Sequence, residues 1–241
     1  MNVLKRFAAR LPTGWQHQLR RIRSWIEIRR GNFHPGEPEF DRLSQWLKPG
    51  DWALDIGANM GSYTVAMSRL VGEHGRVIAL EPIPETFAIL TANLQIARCG
   101  NVTAFNAAAS DRAEVAEMYM PHFDSGLKNF YQARLDRTKN TMDTSANRVL
   151  TIAIDSLALP HRLALIKIDV EGHEAKVISG LWKQISRDRP ALIIETSSPL
   201  VNDKLSTLSY QAHHIPGSPN RIFLQPEHER PAKHSPDPYK R

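Results

Sequence analysis

With a single cysteine, Cys99, the chain can form no internal disulfide and no cysteine zinc cage, and this fits a reducing compartment. Nowhere do apolar residues approach the ~18 in a row that a membrane-spanning helix requires. Lys5, Arg6 and Arg10 are followed by no long apolar stretch and no small-residue cleavage site, so no secretory leader is expected. Hydrophobic residues make up 41% and charged residues 23% of the 241, too apolar a mixture for a wholly disordered chain. The length suits one ordinary domain with appendages, or at most two small ones.

Acid is nearly missing from the first thirty residues. They hold eight basic side chains against Glu27, a local charge of +7, which leaves −1 for residues 31–241 of a chain whose total is +6. A nucleic-acid enzyme needs a basic face on the body that carries its active site; this body is nearly neutral, so no nucleic-acid partner is expected. Residues 1–36 read as a helical arm. Leu4, Phe7, Leu11, Trp15, Leu19, Ile22 and Ile26 align as one apolar stripe, which Pro12 and Gly14 divide into two pieces. Thr13 and Gln16 supply a capping box for the second piece. The stripe is expected to pack on the body or on a partner subunit, with an anionic membrane surface as the alternative. The expected setting is cytoplasmic, with contact at the inner membrane surface following from that alternative. At the other end, residues 226–241 are polar and read as a disordered tail. The tail contains Pro236-Asp237-Pro238-Tyr239, and a Pro-Tyr pair there, not after a core strand, carries no site.

Residues 37–225 read as one domain in which short apolar runs alternate with helical periodicity, the pattern of a parallel sheet covered on both faces. Strands are expected at 52–56, 76–80, 102–105, 163–168 and 191–194, and helices at 62–71 and 84–97. One further helix carries Val177, Ile178, Leu181 and Ile185. Segments 114–120 and 148–154 are candidates to pair as strands. The polar stretch 124–147 between them reads as a loop or lid of the kind that carries acceptor contacts. Segments 209–215 and 221–224 are candidates for an antiparallel pair closing the sheet.

The strongest local pattern is Leu54-Asp55-Ile56-Gly57-Ala58-Asn59-Met60-Gly61-Ser62-Tyr63-Thr64. A strand ends at an acid, turns through two glycines and enters a helix. Gly57 permits a tight turn and close approach to a ligand, and Gly61 lets the helix start lie near it. Glu81, twenty-four residues beyond Gly57, ends the next strand, where a carboxylate can accept hydrogen bonds from both hydroxyls of a ribose. The dinucleotide fingerprint needs a glycine where Asn59 stands, because a side chain there crowds a pyrophosphate. S-adenosylmethionine has no phosphate, and its amino-acid end and cationic sulfur suit an acid-bearing loop. The cofactor positions are therefore Asp55, Gly57, Asn59, Gly61 and Glu81.

Asp55 to Thr64, Glu81-Pro82, Asn106-Ala107-Ala108, Thr151 to Leu157 and above all Ile166-Lys167-Ile168-Asp169-Val170-Glu171-Gly172-His173-Glu174 resemble the FkbM family of S-adenosylmethionine-dependent methyltransferases. The similarity spans roughly residues 50–196. It implies a seven-stranded Rossmann-like methyltransferase fold, a mostly parallel sheet with helices on both faces. It also implies methylation of a hydroxyl on a sugar, a glycan precursor or a glycosylated or polyketide product, hence a small-molecule or glycan acceptor. Where many methyltransferases place an acid on the adenine amino group, this chain has Asn106, the candidate substitute.

An alcohol is a poor nucleophile, so a base beside it assists transfer. Asp169 and His173 are the candidate bases and Glu195, at the end of the next strand, is a second carboxylate. Glu171 and Glu174 also suit a helix N-terminus, where the backbone dipole favours acids. Asp169, Glu171 and Glu195 have the oxygen chemistry for a hard cation, but no ligand spacing demands one and no metal is assigned. Lys167 points away from Ile166 and Ile168 and is expected to pair with an acid. Cys99 is expected to pack. The competing functions are an RNA or protein N-methyltransferase, disfavoured by the neutral body, and a non-catalytic S-adenosylmethionine-binding protein.

Overall fold

The computed structural model of the protein describes residues 13–121, 135 and 144–226. The first piece of the arm, most of the expected loop at 124–147 and all but the first residue of the tail, its Pro-Tyr pair included, lie outside the described residues. In chain order the strands are β1 (Trp52–Ile56), β2 (Arg76–Leu80), β3 (Val102–Phe105), β4 (Ala108–Ala109), β5 (Glu114–Pro121), β6 (Thr144–Ile152), β7 (Leu163–Ile168), β8 (Ala191–Ile194), β9 (Gln211–His214) and β10 (Arg221–Leu224). The helices are α1 (Thr13–Arg29), α2 (Leu43–Trp46), α3 (Ser62–Val71), α4 (Pro84–Ile96), α5 (Glu174–Gly180), α6 (Trp182–Asp188) and α7 (Pro199–Ser206).

Seven strands form one sheet in the order β3-β2-β1-β7-β8-β10-β9. Its pairs are parallel except those of β10, which runs antiparallel to β8 and β9. Period-two alternation splits the strand residues between two apolar layers. Leu54, Ile78, Ile166 and Leu192 face α5, α6 and α7 through Ile178, Ile185 and Leu205. Ala53, Val77, Leu165 and Ala191 face α2 and α3 through Leu43, Tyr63 and Met67. Helices therefore cover both faces, as the FkbM resemblance implies. A second sheet, ordered β4-β6-β5, stands beside the first with Met118, Met120 and Val149 packed around Ile83.

Several expectations need correction. The helix expected around Val177 to Ile185 is two helices broken at Leu181, where φ is −131° and ψ 16°. Gly180 abuts the Ser110 carbonyl so closely that an added Cβ would lie 1.8 Å from its oxygen, and the first helix ends there. β6 begins at Thr144, because its polar start pairs with the apolar end of β5 in the register Met118↔Asn147 and Met120↔Ser145. α7 was not expected: only Val201 and Leu205 of its eight residues are buried, too few to create a periodic signal.

The arm gives the largest correction. α1 begins at Thr13, beside the division expected at Pro12 and Gly14, and the piece before it lies outside the described residues. The helix packs on α4, but the face it buries carries Ser24 and Ile28. The expected stripe faces outward, with Trp15, Leu19 and Ile22 exposed to 65%, 43% and 54%. Small Ser24 lets the helix lie close to the body, and the bulky stripe is left on the opposite side. Among the described residues, no helix is long and apolar enough to cross a membrane.

Candidate active site

Ile56 of β1 is in register with Leu80 of β2 and with Ile168 of β7, which is in register with Ile194 of β8. Gly57, Glu81, Asp169 and Glu195 each follow one residue later, so four separate chain segments reach one edge together. The ladder carries on into them: the amides of Gly57, Asp169 and Glu195 donate to the carbonyls of Leu80, Ile56 and Ile168 at 2.9, 3.0 and 3.1 Å. This edge lies beyond the carboxyl ends of parallel strands, and β1 is where the strand order reverses. Open α/β sheets form ligand crevices there. A cavity of about 530 Å³ opens at that point.

Its floor is acidic. Asp55, Glu81, Asp169, Glu171 and Glu195 all line it, as do Gly57 and Asn59. Glu81 is buried, and its two carboxylate oxygens accept from the amides of Asn59 and Ile83, both at 2.9 Å. Burial pushes its carboxyl up to about 7, although both amide bonds oppose the shift. Asn59 supplies its amide from a left-handed backbone, φ 51°, which asparagine tolerates better than most residues. Gly57 has φ +79°, and a Cβ on it would lie 1.9 Å from the Asp169 carbonyl oxygen. The β1 turn and the end of β7 touch backbone to backbone, which only glycine permits.

Asp55 and Lys167 are cross-strand partners in the β1–β7 register, so their side chains leave the same face of the sheet. Asp55 Oδ2 accepts from the Thr64 hydroxyl at 2.5 Å, while its buried Oδ1 has no hydrogen-bond partner. Burial pushes the Asp55 carboxyl up, against the pull of Lys167 and Thr64. The Lys167 ammonium lies 2.9 Å from Asp169 Oδ2 and 4.7 Å from the centroid of the Tyr63 ring. Burial alone would lower its pKa, but Asp169 and Asp55 hold it above the usual lysine range. The expectation that Lys167 pairs with an acid is met. Glu195 is pushed up to about 7, first by burial and then by the neighbouring charges of Asp169 and Glu171.

Three expected site residues lie elsewhere. Gly61 does not line the cavity; its added Cβ would meet Leu90 of α4 at 2.5 Å, so it serves the approach of two helices. Asn106 also lies off the cavity, its amide donating to the carbonyls of Glu81 and Pro82 at 2.9 and 3.0 Å. It therefore braces the turn that carries Glu81. His173 is buried behind the cavity wall, with Nε2 3.0 Å from the Ser110 hydroxyl. Glu174 accepts from the Gly172 amide at 2.8 Å, as expected of an acid at a helix start.

The structure also adds residues. Glu37 lines the cavity and accepts from the Tyr63 hydroxyl at 2.6 Å and from the Asn220 amide at 3.0 Å. This ties the segment before β1 to the one before β10. Burial pushes Glu37 up, and nothing in the local sequence announces it. From α1, Arg20, Arg23, Ser24 and Glu27 form one side of the cavity mouth, with Arg23 Nε 2.7 Å from Glu27 Oε1. A periodicity reading that looks only for apolar residues passes over this face. Among the described residues, no group of three or more His, Cys, Asp or Glu side chains is arranged to hold a metal ion.

The chain is similar to known proteins. The chain is 32% identical over 172 residues to the 31-O-demethyl-FK506 methyltransferase FkbM of Streptomyces tacrolimicus, covering 58% of this chain and 64% of that protein. It is 38% identical over 53 residues to a protein-L-isoaspartate O-methyltransferase of Triticum aestivum, a match covering 22% of this chain and 23% of the relative. The chain thus spans about a quarter of that relative and less than two thirds of the Streptomyces protein. The crystal structure of methyltransferase FkbM from Methylobacillus flagellatus KT superposes with a TM-score of 0.51 at 19% identity, over 73% of this chain and 44% of that one. It shares the fold. The Methyltransferase FkbM domain matches residues 55–215, which takes in Gly57, Glu81, Asp169 and Glu195 together with the strands that carry them. The chain belongs to the FkbM methyltransferase family.

Proposed function

We propose that the chain is an S-adenosylmethionine-dependent O-methyltransferase acting on a hydroxyl of a sugar, a glycan precursor or a glycosylated or polyketide product. The observation that carries this reading is the acidic floor at the switch point, with a buried Asp55 oxygen that lacks a partner. A donor with an ammonium and a sulfonium group offers that floor positive charge, whereas a diphosphate would add negative charge to a group of five acids among which Lys167 is the buried cation. Glu81, held by two amides, keeps lone pairs for a pair of ribose hydroxyls. The Streptomyces relative's name, a methyltransferase of 31-O-demethyl-FK506, supports oxygen as the atom methylated.

When bound, the donor supplies a methyl carbon already activated by a positively charged sulfur. The chain's part is to align the acceptor, exclude water and take its proton. Glu195 suits that last role: it lines the cavity, and a carboxyl pushed up to about 7 accepts a proton readily near neutral pH. Asp169, held by Lys167, raises the pKa of Glu195. His173, hydrogen-bonded to Ser110, supports the wall from behind. A cytoplasmic enzyme whose α1 rests on a membrane surface or a second subunit suits this reading, since the outer stripe of that helix is uncovered.

Calorimetric titration with S-adenosylmethionine tests the premise, and Glu195→Gln tests the base. We expect micromolar binding in both proteins and turnover of sugar acceptors, not RNA, that rises with pH through about 7 in the wild type. Loss of the base is expected to lower kcat on the order of 100-fold or more. No donor binding sinks the reading; an unchanged kcat and pH profile in Glu195→Gln reassigns the base.

A further inference from the structure

α1 presents two faces with different chemistry. Arg20, Arg23, Ser24 and Glu27 form part of the cavity mouth. On the outside, Trp15, Leu19, Ile22 and Trp25 follow at i, i+4, i+7 and i+10, a single stripe in which Trp25 is 44% exposed. Exposed arginines edge this stripe: Arg21 on one flank, Arg29 and Arg30 at the end. The Arg29 guanidinium lies 5.1 Å from the centroid of the Trp25 ring. The only acid of the helix, Glu27, is bonded to Arg23 on the cavity side. Among the described residues, the outward face is therefore apolar, tryptophan-bearing and rimmed by Arg21, Arg29 and Arg30, with the one acid of the helix turned to the cavity side.

We propose that α1 docks the protein on an anionic lipid surface, lying in the interface with Trp15, Leu19, Ile22 and Trp25 among the upper acyl chains. Arginines at the rim complement anionic headgroups, and tryptophan side chains settle at that depth. A second copy of the chain is a poorer occupant. Four partly exposed side chains offer on the order of 400 Å², about half of what one partner buries in a stable dimer. A helix is about 10 Å across, so docking by the outer face holds the cavity mouth close to the headgroups. Resting on the methyltransferase reading, this makes the acceptor a hydroxyl on a membrane-borne amphiphile, such as a lipid-carried sugar. The docking itself needs no donor.

The test is co-sedimentation of the full-length protein with vesicles of phosphatidylcholine alone and of phosphatidylcholine with one third phosphatidylglycerol. Binding to the anionic vesicles is expected at least tenfold tighter than to neutral ones and falls when salt is raised to about 1 M, where screening shortens to ~3 Å. Leu19→Asp/Ile22→Asp changes only outward-facing positions and is expected to lose at least tenfold in vesicle binding while its melting temperature and donor affinity stay at wild-type values. Equal binding to both vesicle types, no binding, or full binding by the double variant overturns the proposal. So does a wild-type dimer that the double variant converts to monomer, which assigns the stripe to a second copy. Failure of donor binding with docking intact counts against the methyltransferase reading alone.

Discussion

Replacing Gly57 by alanine forces two backbones apart at the centre of the site. The new Cβ would stand 1.9 Å from the Asp169 carbonyl oxygen. Carbon–oxygen contacts settle near ~3.3 Å, so the end of β7 must retreat by roughly 1.4 Å, against the ladder bond that ties Asp169 to Ile56. A left-handed φ costs a non-glycine residue roughly 1–2 kcal/mol, and overpacking a rigid contact adds about 1–3 kcal/mol. The sum, about 2–5 kcal/mol, corresponds to a fall in melting temperature on the order of 10 °C for a domain of this size. Gly36 provides the control: its φ is +87°, but an added Cβ meets nothing within 4 Å. Gly36→Ala therefore carries the conformational cost without the clash and is expected to lose about 1–2 kcal/mol. Displacing Asp169 by about 1 Å is also expected to lower turnover by about 100-fold. Scanning calorimetry and initial rates on both variants decide the matter. Gly57→Ala melting within about 2 °C of Gly36→Ala, with wild-type turnover, would refute the backbone contact as the element that sets the site.

Two further outcomes follow from the buried groups. Because Glu81 is pushed from 4.5 up to about 7, the folded protein binds a proton that the unfolded chain releases between those values. Ligand-free stability is therefore expected to fall as pH rises through that window, by up to about 3 kcal/mol from this group. Donor affinity moves the other way, weakening as pH drops below about 7, and isothermal titration at several pH values with Glu81→Gln as reference checks both signs. His173→Ala and Ser110→Ala are each expected to cost about 1 kcal/mol by removing the buried hydrogen bond between them. In a double-mutant cycle their effects should be less than additive, with kcat within a few-fold of wild type. A collapse of kcat at unchanged stability would return His173 to the chemistry.

The main sheet and the residues at the cavity edge of its strands were legible because they answer to local rules. The strand boundaries at 52–56, 76–80, 102–105, 163–168 and 191–194 coincide with those observed, since each is an apolar run bounded by turn or polar residues. Gly57, Glu81, Asp169 and Glu195 were legible for the same reason, as the first residues beyond strands whose ends a parallel sheet aligns. Asp55 and Lys167 follow from period-two alternation. What pattern could not supply was the meeting of segments far apart in the chain. Asn106 bonds the turn of Glu81 and His173 bonds Ser110, because a polar side chain takes the partner packing brings within reach. Glu37 reaches the cavity only because the segment before β1 folds across Tyr63 and Asn220. The stripe on α1 was visible as a periodicity, yet its direction was not: a helix shows which residues share a face, and the neighbour that Ser24 admits chooses which face turns inward. Short-range sterics and hydrophobic spacing, both written along the chain, thus specify the strands, the glycine turn and the acids at their ends. Long-range packing, which no single stretch encodes, settles which of those groups face the cavity and which side of the first helix is left to the surroundings.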